Sequence, residues 1–255
     1  MALSDHFREL RARILKVVAT FLLVFIVSLF FFDQLFDFVY GPYQDAQRML
    51  PEGRSLATTS GAGGGLMLYL KLCGFASLVV TCPVWLYQIW AFIVPGLHPQ
   101  ERRWTRIFVA VAAPLFLAGL VLGFVTLPKG LEVLIGLNPD PITNLVDFNE
   151  YLQFFTRTLL VFGLAFEIPV FVVMLNRAGV VKGRALARYR PWIIVGIFLF
   201  AAIATPSTDP FTMTFMAVPM CLLYFISEII ARIHDRRVAE RKPFADLDPD
   251  QASPL

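Results

Sequence analysis

From Ile14 to Phe32 the chain runs for about 19 residues with a single charge, Lys16, near the start. At 1.5 Å per residue that is the length an α-helix needs to cross a hydrocarbon core of roughly 30 Å. In such a medium a lone segment must satisfy its own backbone hydrogen bonds, which a helix does and an isolated strand does not. The run is too long for a signal-peptide core and lacks a small-residue cleavage site, so it is read as a retained first span. Similar runs recur at about 66–94, 107–127, 151–176, 192–204 and 211–231. The expected fold is an all-α integral membrane protein of six transmembrane helices, one domain over residues 1–231. A polar tail, 232–255, is expected to be disordered. Composition agrees: 57% of residues are hydrophobic and 16% charged, against about 45–50% apolar in soluble domains.

The connecting segments are read from their turn-formers. Asp33 to Gly65 holds Gly41-Pro42, Pro51, Gly53 and a glycine-rich end, and is expected to be a loop outside the membrane. Pro95 to Arg106 is a short loop, and Pro128 to Glu150 is a loop with three prolines. A basic loop leads to Arg190, and Thr205-Pro206-Ser207-Thr208-Asp209-Pro210 is a tight turn.

Lys and Arg fall unevenly on alternate sides. One side collects Arg8, Arg11, Arg13 and Lys16, then Arg102, Arg103 and Arg106, then Arg177, Lys182, Arg184, Arg188 and Arg190, and finally Arg232, Arg236, Arg237, Arg241 and Lys242. The other has Arg48, Arg54, Lys71, Lys129 and Arg157. The positive-inside rule then puts both termini in the cytoplasm, which requires an even number of spans. The fifth apolar run, Trp192 to Ala204, gives only about 20 Å of helix. Pro219 interrupts the sixth, and Glu228 lies near its inner end. The last two spans are therefore expected to be short, leaving a thinned membrane beside a concave bundle.

Several functions find no support in the residues. Cys73, Cys82 and Cys221 lie in apolar stretches without metal-type spacing, and His6, His98 and His234 are scattered. No metal or other cofactor is expected. A net charge of +3 without a clustered basic face gives no case for nucleic acid. No glycine-rich loop ending in Lys-Ser or Lys-Thr points to a nucleotide, and no nucleophile with its base points to an enzyme.

Three acids are candidates for function. Glu167 lies about a turn past the middle of the fourth span, where a carboxylate costs about 2.5–3.5 kcal/mol unless protonated, paired or wetted. Gly163, one turn earlier, is expected to leave room there for a partner or a water. Protonated structural hydrogen bonding is the alternative. Glu9 lies within Arg8-Glu9-Leu10-Arg11-Ala12-Arg13, and could simply pair with Arg13 at i,i+4. Glu101 precedes Arg102-Arg103, and could simply favour the helix dipole.

Four ordered stretches carry a resemblance. They are His6-Phe7-Arg8-Glu9-Leu10-Arg11-Ala12-Arg13; Tyr87-Gln88-Ile89-Trp90-Ala91-Phe92-Ile93-Val94-Pro95-Gly96-Leu97 with Glu101-Arg102-Arg103; Phe162-Gly163-Leu164-Ala165-Phe166-Glu167-Ile168-Pro169; and Thr205-Pro206 with Asp209, then Ala217-Val218-Pro219-Met220. Together they resemble the TatC family, the polytopic receptor subunit of the twin-arginine protein translocase. The resemblance implies a cytoplasmic site for twin-arginine signal peptides at Glu9, Arg11, Gln88, Phe92, Pro95, Leu97, Glu101 and Arg103. It implies that Glu167, Thr205 and Asp209 belong to an intramembrane polar groove. The implied partners are signal peptides of folded precursors, single-span TatA- and TatB-type subunits, membrane lipid and further copies of the chain, with transport driven by the protonmotive force. Phe225 stands where many relatives have a glutamate, and Glu228 is the nearest acid. The main rival is a proton-coupled solute transporter using Glu167, but the inverted repeats and paired broken helices of such proteins are not evident.

Overall fold

The computed structural model describes residues 3–49, 55–59, 61, 63–93, 102–136, 144–177, 179–204 and 210–241. Among these residues eight helices and two short strands follow one another: α1 (Leu3–Leu29), α2 (Phe32–Met49), β1 (Ser55–Thr58), α3 (Gly64–Val80), α4 (Cys82–Ile93), α5 (Arg102–Gly136), β2 (Asn144–Asp147), α6 (Phe148–Arg177), α7 (Gly183–Ala204) and α8 (Pro210–Arg241). The helices α1, α5, α6, α7 and α8 are each long and apolar enough to cross a bilayer, and the bent pair α3–α4 makes a sixth span. The apolar side chains outside the core, such as Leu23, Val125, Trp192 and Ile203, are exposed on helices of spanning length, as lipid contact requires.

The second span is broken. Pro83 has no N–H to continue the helical ladder, and α3 and α4 meet at Thr81 with a 58° bend. Side chains bond to carbonyls at the break: Thr81 Oγ1 donates to the Ser77 oxygen at 2.7 Å, beside the Thr81 N–H at 3.0 Å, and Trp85 Nε1 donates to the Leu78 oxygen at 3.0 Å. Side-chain bonds thus fasten the chain on both sides of the bend.

Four expected loops are partly helical: α5 begins at Arg102 within 95–106, α7 begins at Gly183 within the basic loop, and the other two change more. Within 33–65, α2 buries Val39, Pro42, Tyr43 and Ala46 on one face, the i, i+3, i+4 spacing of an amphipathic helix. Asp33 in its first turn suits the helix dipole. Pro42 is accommodated inside this helix. Likewise α5 does not stop at Pro128 but continues to Gly136, because Leu127, Leu131 and Ile135 repeat at i+4 and all are buried. Lys129 and Glu132 add an exposed pair at 2.7 Å on the same stretch.

The strands were not foreseen. β1 and β2 pair in parallel, Ser55 opposite Asn144 and Thr58 opposite Asp147. They are fastened to α2 by a 2.7 Å bond between Tyr43 Oη and Ser55 Oγ and by Gln47 Nε2 donating to the Ser55 oxygen at 2.8 Å. Tyr151 Oη of α6 donates to the Val39 oxygen at 2.7 Å. α2, the strands and the start of α6 so form a cap over one end of the bundle.

α6 is the central helix, contributing to both hydrophobic cores. Its approach to α5 depends on glycine. A Cβ on Gly119 would lie 2.5 Å from the Phe162 oxygen, and one on Gly163 would lie 2.7 Å from the Phe116 ring. Gly123 faces Phe162 one turn further along, so Gly119 and Gly123 form the small-xxx-small seam of closely packed membrane helices.

The last two helices extend beyond their apolar portions. The 13-residue run of the fifth span sits in a helix of 22 residues, whose first part carries Arg184, Arg188 and Arg190. α8 has 32 residues, so 232–241, the start of the segment expected as disordered tail, is helical. Charged side chains stitch these extensions together. Glu228, 2% exposed, accepts from Arg190 Nε at 3.1 Å and Nη2 at 2.7 Å, and pairs with Arg232 Nη2 at 2.6 Å. Asp235 accepts from Asn176 Nδ2 at 2.7 Å and the Gly183 N–H at 2.6 Å, tying α6, α7 and α8. Removing Glu228 would leave two half-exposed guanidiniums facing one another. Glu228→Ala is expected to cost about 2 kcal/mol, discounted from the value for a fully buried pair because water reaches both arginines. A lowered thermal midpoint of the detergent-solubilised variant checks this.

Candidate functional site

At the end of the bundle opposite the strands, the start of α1 meets the end of α4. Arg13 lies one turn after Glu9, and its Nε and Nη2 both converge on Glu9 Oε1, Nε at 3.1 Å. Its Nη1 reaches across to Gln88 Oε1 of α4 at 3.3 Å. The i,i+4 pair expected from sequence is therefore present, but with a third member from another helix. Glu9, Arg13 and Gln88 form one polar cluster at the membrane end, with the Arg13 side chain 19% exposed and that of Glu9 36% exposed.

The helix that carries Gln88 is anchored by Trp90, two positions on. Trp90 is buried, its ring 3.9 Å from that of Phe108 on α5 and 5.4 Å from that of Phe171 on α6. Two positions from Trp90, Phe92 is half-buried at the end of the same helix. Arg11 is exposed. Pro95, Leu97 and Glu101 lie outside the described residues, and so do Thr205 and Asp209. Arg103 lies in the first turn of α5, and only its backbone is among the described residues.

Glu167 lies elsewhere, on α6 within the span. Both of its carboxylate oxygens are buried and have no hydrogen-bond partner among the described residues. Cys82, at the bend between α3 and α4, is its neighbour. The room expected beside Gly163 is occupied: the Phe116 ring fills it and stands edge-on to Trp85 at 5.4 Å. Glycine there serves helix packing and does not open a pocket. The structure thus gathers Glu9 and Gln88 at one end and keeps Glu167 apart, level with the bend.

Sequence reasoning missed the bridging role of Arg13 and the two clasps on α8. Gln88 lies 75 positions from Arg13 and Glu228 lies 38 from Arg190, so nothing local links them. The Gly119-Gly123 spacing was a readable signal for the α5–α6 crossing.

Comparison with known proteins agrees with this arrangement. Residues 5–219 match the family of the Sec-independent protein translocase protein TatC. The chain is 42% identical to the TatC protein of Frankia casuarinae, over all of this chain and 73% of that protein. It is 38% identical to the TatC protein of Xylanimonas cellulosilytica, covering 94% of this chain and 87% of the relative. A crystal structure of the twin-arginine translocase receptor TatC superposes with a TM-score of 0.78 at 30% identity, covering 91% of this chain and all of the other. A second, in the detergent DDM, also gives 0.78 at 29% identity. Six spans, the matched length and this degree of identity lead to one conclusion: the chain is an integral membrane protein of the TatC family of Sec-independent protein translocase components.

Proposed function

We propose that this chain is the receptor subunit of a twin-arginine translocase, lying in the plasma membrane with both termini in the cytoplasm. Glu9 and Glu101 are the acids that read the paired arginines of a signal peptide, with Arg11, Gln88, Phe92, Pro95, Leu97 and Arg103 shaping the surface around them. The observation that carries this reading is the accessible Glu9 carboxylate, already engaged by a guanidinium and set beside Gln88 of a second helix. Carboxylates bind guanidinium groups through charge-assisted bonds that use its planar fork, and a lysine ammonium offers no such fork. The basic side chains nearby repel peptides that are merely cationic.

Glu167 lines the intramembrane surface on which the apolar part of the peptide or a single-span TatA- or TatB-type helix rests, and Thr205 and Asp209 contribute to the same groove. The cargo arrives folded, and the protonmotive force supplies the energy. Several copies work together in the assembled complex.

Photocrosslinking from a probe beside Glu101 to a twin-arginine precursor tests the receptor role. A crosslink lost when the arginine pair becomes a lysine pair is the expected result, and a crosslink indifferent to that change sinks it. Replacing Glu167 by Gln keeps the shape and removes the possibility of charge. Export is expected to fall at least several-fold, measured as mature precursor outside the cytoplasm; unchanged export would leave Glu167 only a hydrogen-bonding role.

A further inference from the structure

The pairing at Glu9 has a feature that an ordinary helical ion pair lacks. Arg13 directs two donors to one carboxylate oxygen and a third to Gln88. Its guanidinium is therefore spent on acceptors from two helices, and it is more covered than its partner, 19% exposed against 36%. Both bonds to the carboxylate fall on Oε1, leaving Oε2 out of the pair. Glu9 is in effect already carrying the kind of group that a twin-arginine peptide would bring.

We infer that Arg13 is a built-in stand-in for the peptide guanidinium, and that recognition at Glu9 proceeds by exchange. This rests on the reading of Glu9 as a signal-peptide acid. An incoming arginine lands on Oε2, takes over the carboxylate and releases Arg13, which stays tied to α4 only through Gln88. An intramolecular group four residues away is present at an effective concentration in the millimolar range or above. Any peptide must outcompete it. A peptide guanidinium can match two converging donors, whereas an ammonium offers a point charge and competes poorly. Arg13 therefore sets a threshold: displacing it weakens every peptide by the same factor, and an arginine peptide, with its firmer grip on Glu9, overcomes that factor at a lower concentration than a lysine peptide. The released Arg13 keeps only its bond to Gln88 of α4, so that binding is felt at the α1–α4 contact.

The test measures binding of two synthetic signal peptides, one with paired arginines and one with paired lysines, to the full-length protein in lipid nanodiscs. The variants are Arg13→Gln, Arg13→Lys and Glu9→Gln. Arg13→Gln is expected to bind the arginine peptide about five-fold more tightly, the size of a half-exposed ion pair. The lysine peptide should gain by the same factor, so that the ratio of the two affinities is unchanged. Arg13→Lys, which keeps the charge and a single bond to Glu9, should lie between wild type and Arg13→Gln. It carries the test should the glutamine variant misfold. Equal or weaker arginine-peptide binding by the Arg13 variants, with binding still lost in Glu9→Gln, overturns the exchange and leaves the Glu9 reading standing. Affinity indifferent to Glu9→Gln overturns both.

Discussion

Valine in place of Gly119 is expected to pull α5 and α6 apart and leave little inserted protein. The argument is steric. The new Cβ alone would lie 2.5 Å from the Phe162 carbonyl oxygen and 2.9 Å from Gly163 Cα. Both are backbone atoms of a packed helix, so no side chain can swing aside, and the two γ-methyls worsen the clash. Overpacking of this kind costs about 3 kcal/mol, a thermal midpoint lower by on the order of 5–10 °C in a chain of this size. Gly130, by contrast, has nothing within 4 Å of a built Cβ, and Gly130→Ala should leave the midpoint unchanged. Thermal scans of the two purified variants, with membrane levels in cells, decide the matter. Because α6 carries both Glu167 and part of each core, a lost crossing removes function through the fold.

The second large effect is electrostatic and should spare the fold. On the proposed receptor role, lysine in place of Glu101 puts a cation where a peptide arginine would bind, and export of twin-arginine precursors is expected to stop. The milder Glu9→Gln removes the charge but keeps the shape. Losing a charge-assisted bond costs about 1.5–3 kcal/mol, so peptide affinity should fall by roughly ten- to a hundred-fold. Both variants should insert at wild-type levels, since a lysine near a positive membrane end agrees with the charge bias and Glu9 lies at the start of α1. Normal export by a stably inserted Glu101→Lys protein would overturn the receptor assignment. Reduced export with reduced membrane level would point to folding.

What could be read from the sequence divides along physical lines. The spans were legible because each apolar run answers to the thickness of a bilayer, a constraint outside the protein. α2 was misread as loop because Gly41-Pro42 looked like a turn, although Val39, Pro42, Tyr43 and Ala46 already carried a helical period. Pro128 was given the same weight against Leu127, Leu131 and Ile135, and there too the repeating apolar face prevailed. Four-residue strands are too short for an alternating pattern to register. The i,i+4 pairing of Glu9 with Arg13 was legible since both lie on one helix. The reach to Gln88, and the meeting of Arg190 with Glu228, depend on how distant segments pack, which no local rule encodes. The room assigned to a partner beside Gly163 was lost to Phe116, a residue the fourth span's own sequence could not announce.

The parallel ladder between β1 and β2 bears on the order of assembly. Ser55 finds its partner only when Asn144 has been made, and parallel strands demand a long crossover, here the whole of α3, α4 and α5. At roughly 5–20 residues per second of synthesis, the first strand waits on the order of 5–20 s while three helices enter the bilayer. Throughout that interval Tyr43 and Gln47 can already hold Ser55, keeping a short unpaired edge folded against α2. The ladder can close only once the first five helices have been made and before α6 is complete, and its closure records that the bend and the long α5 have both been threaded.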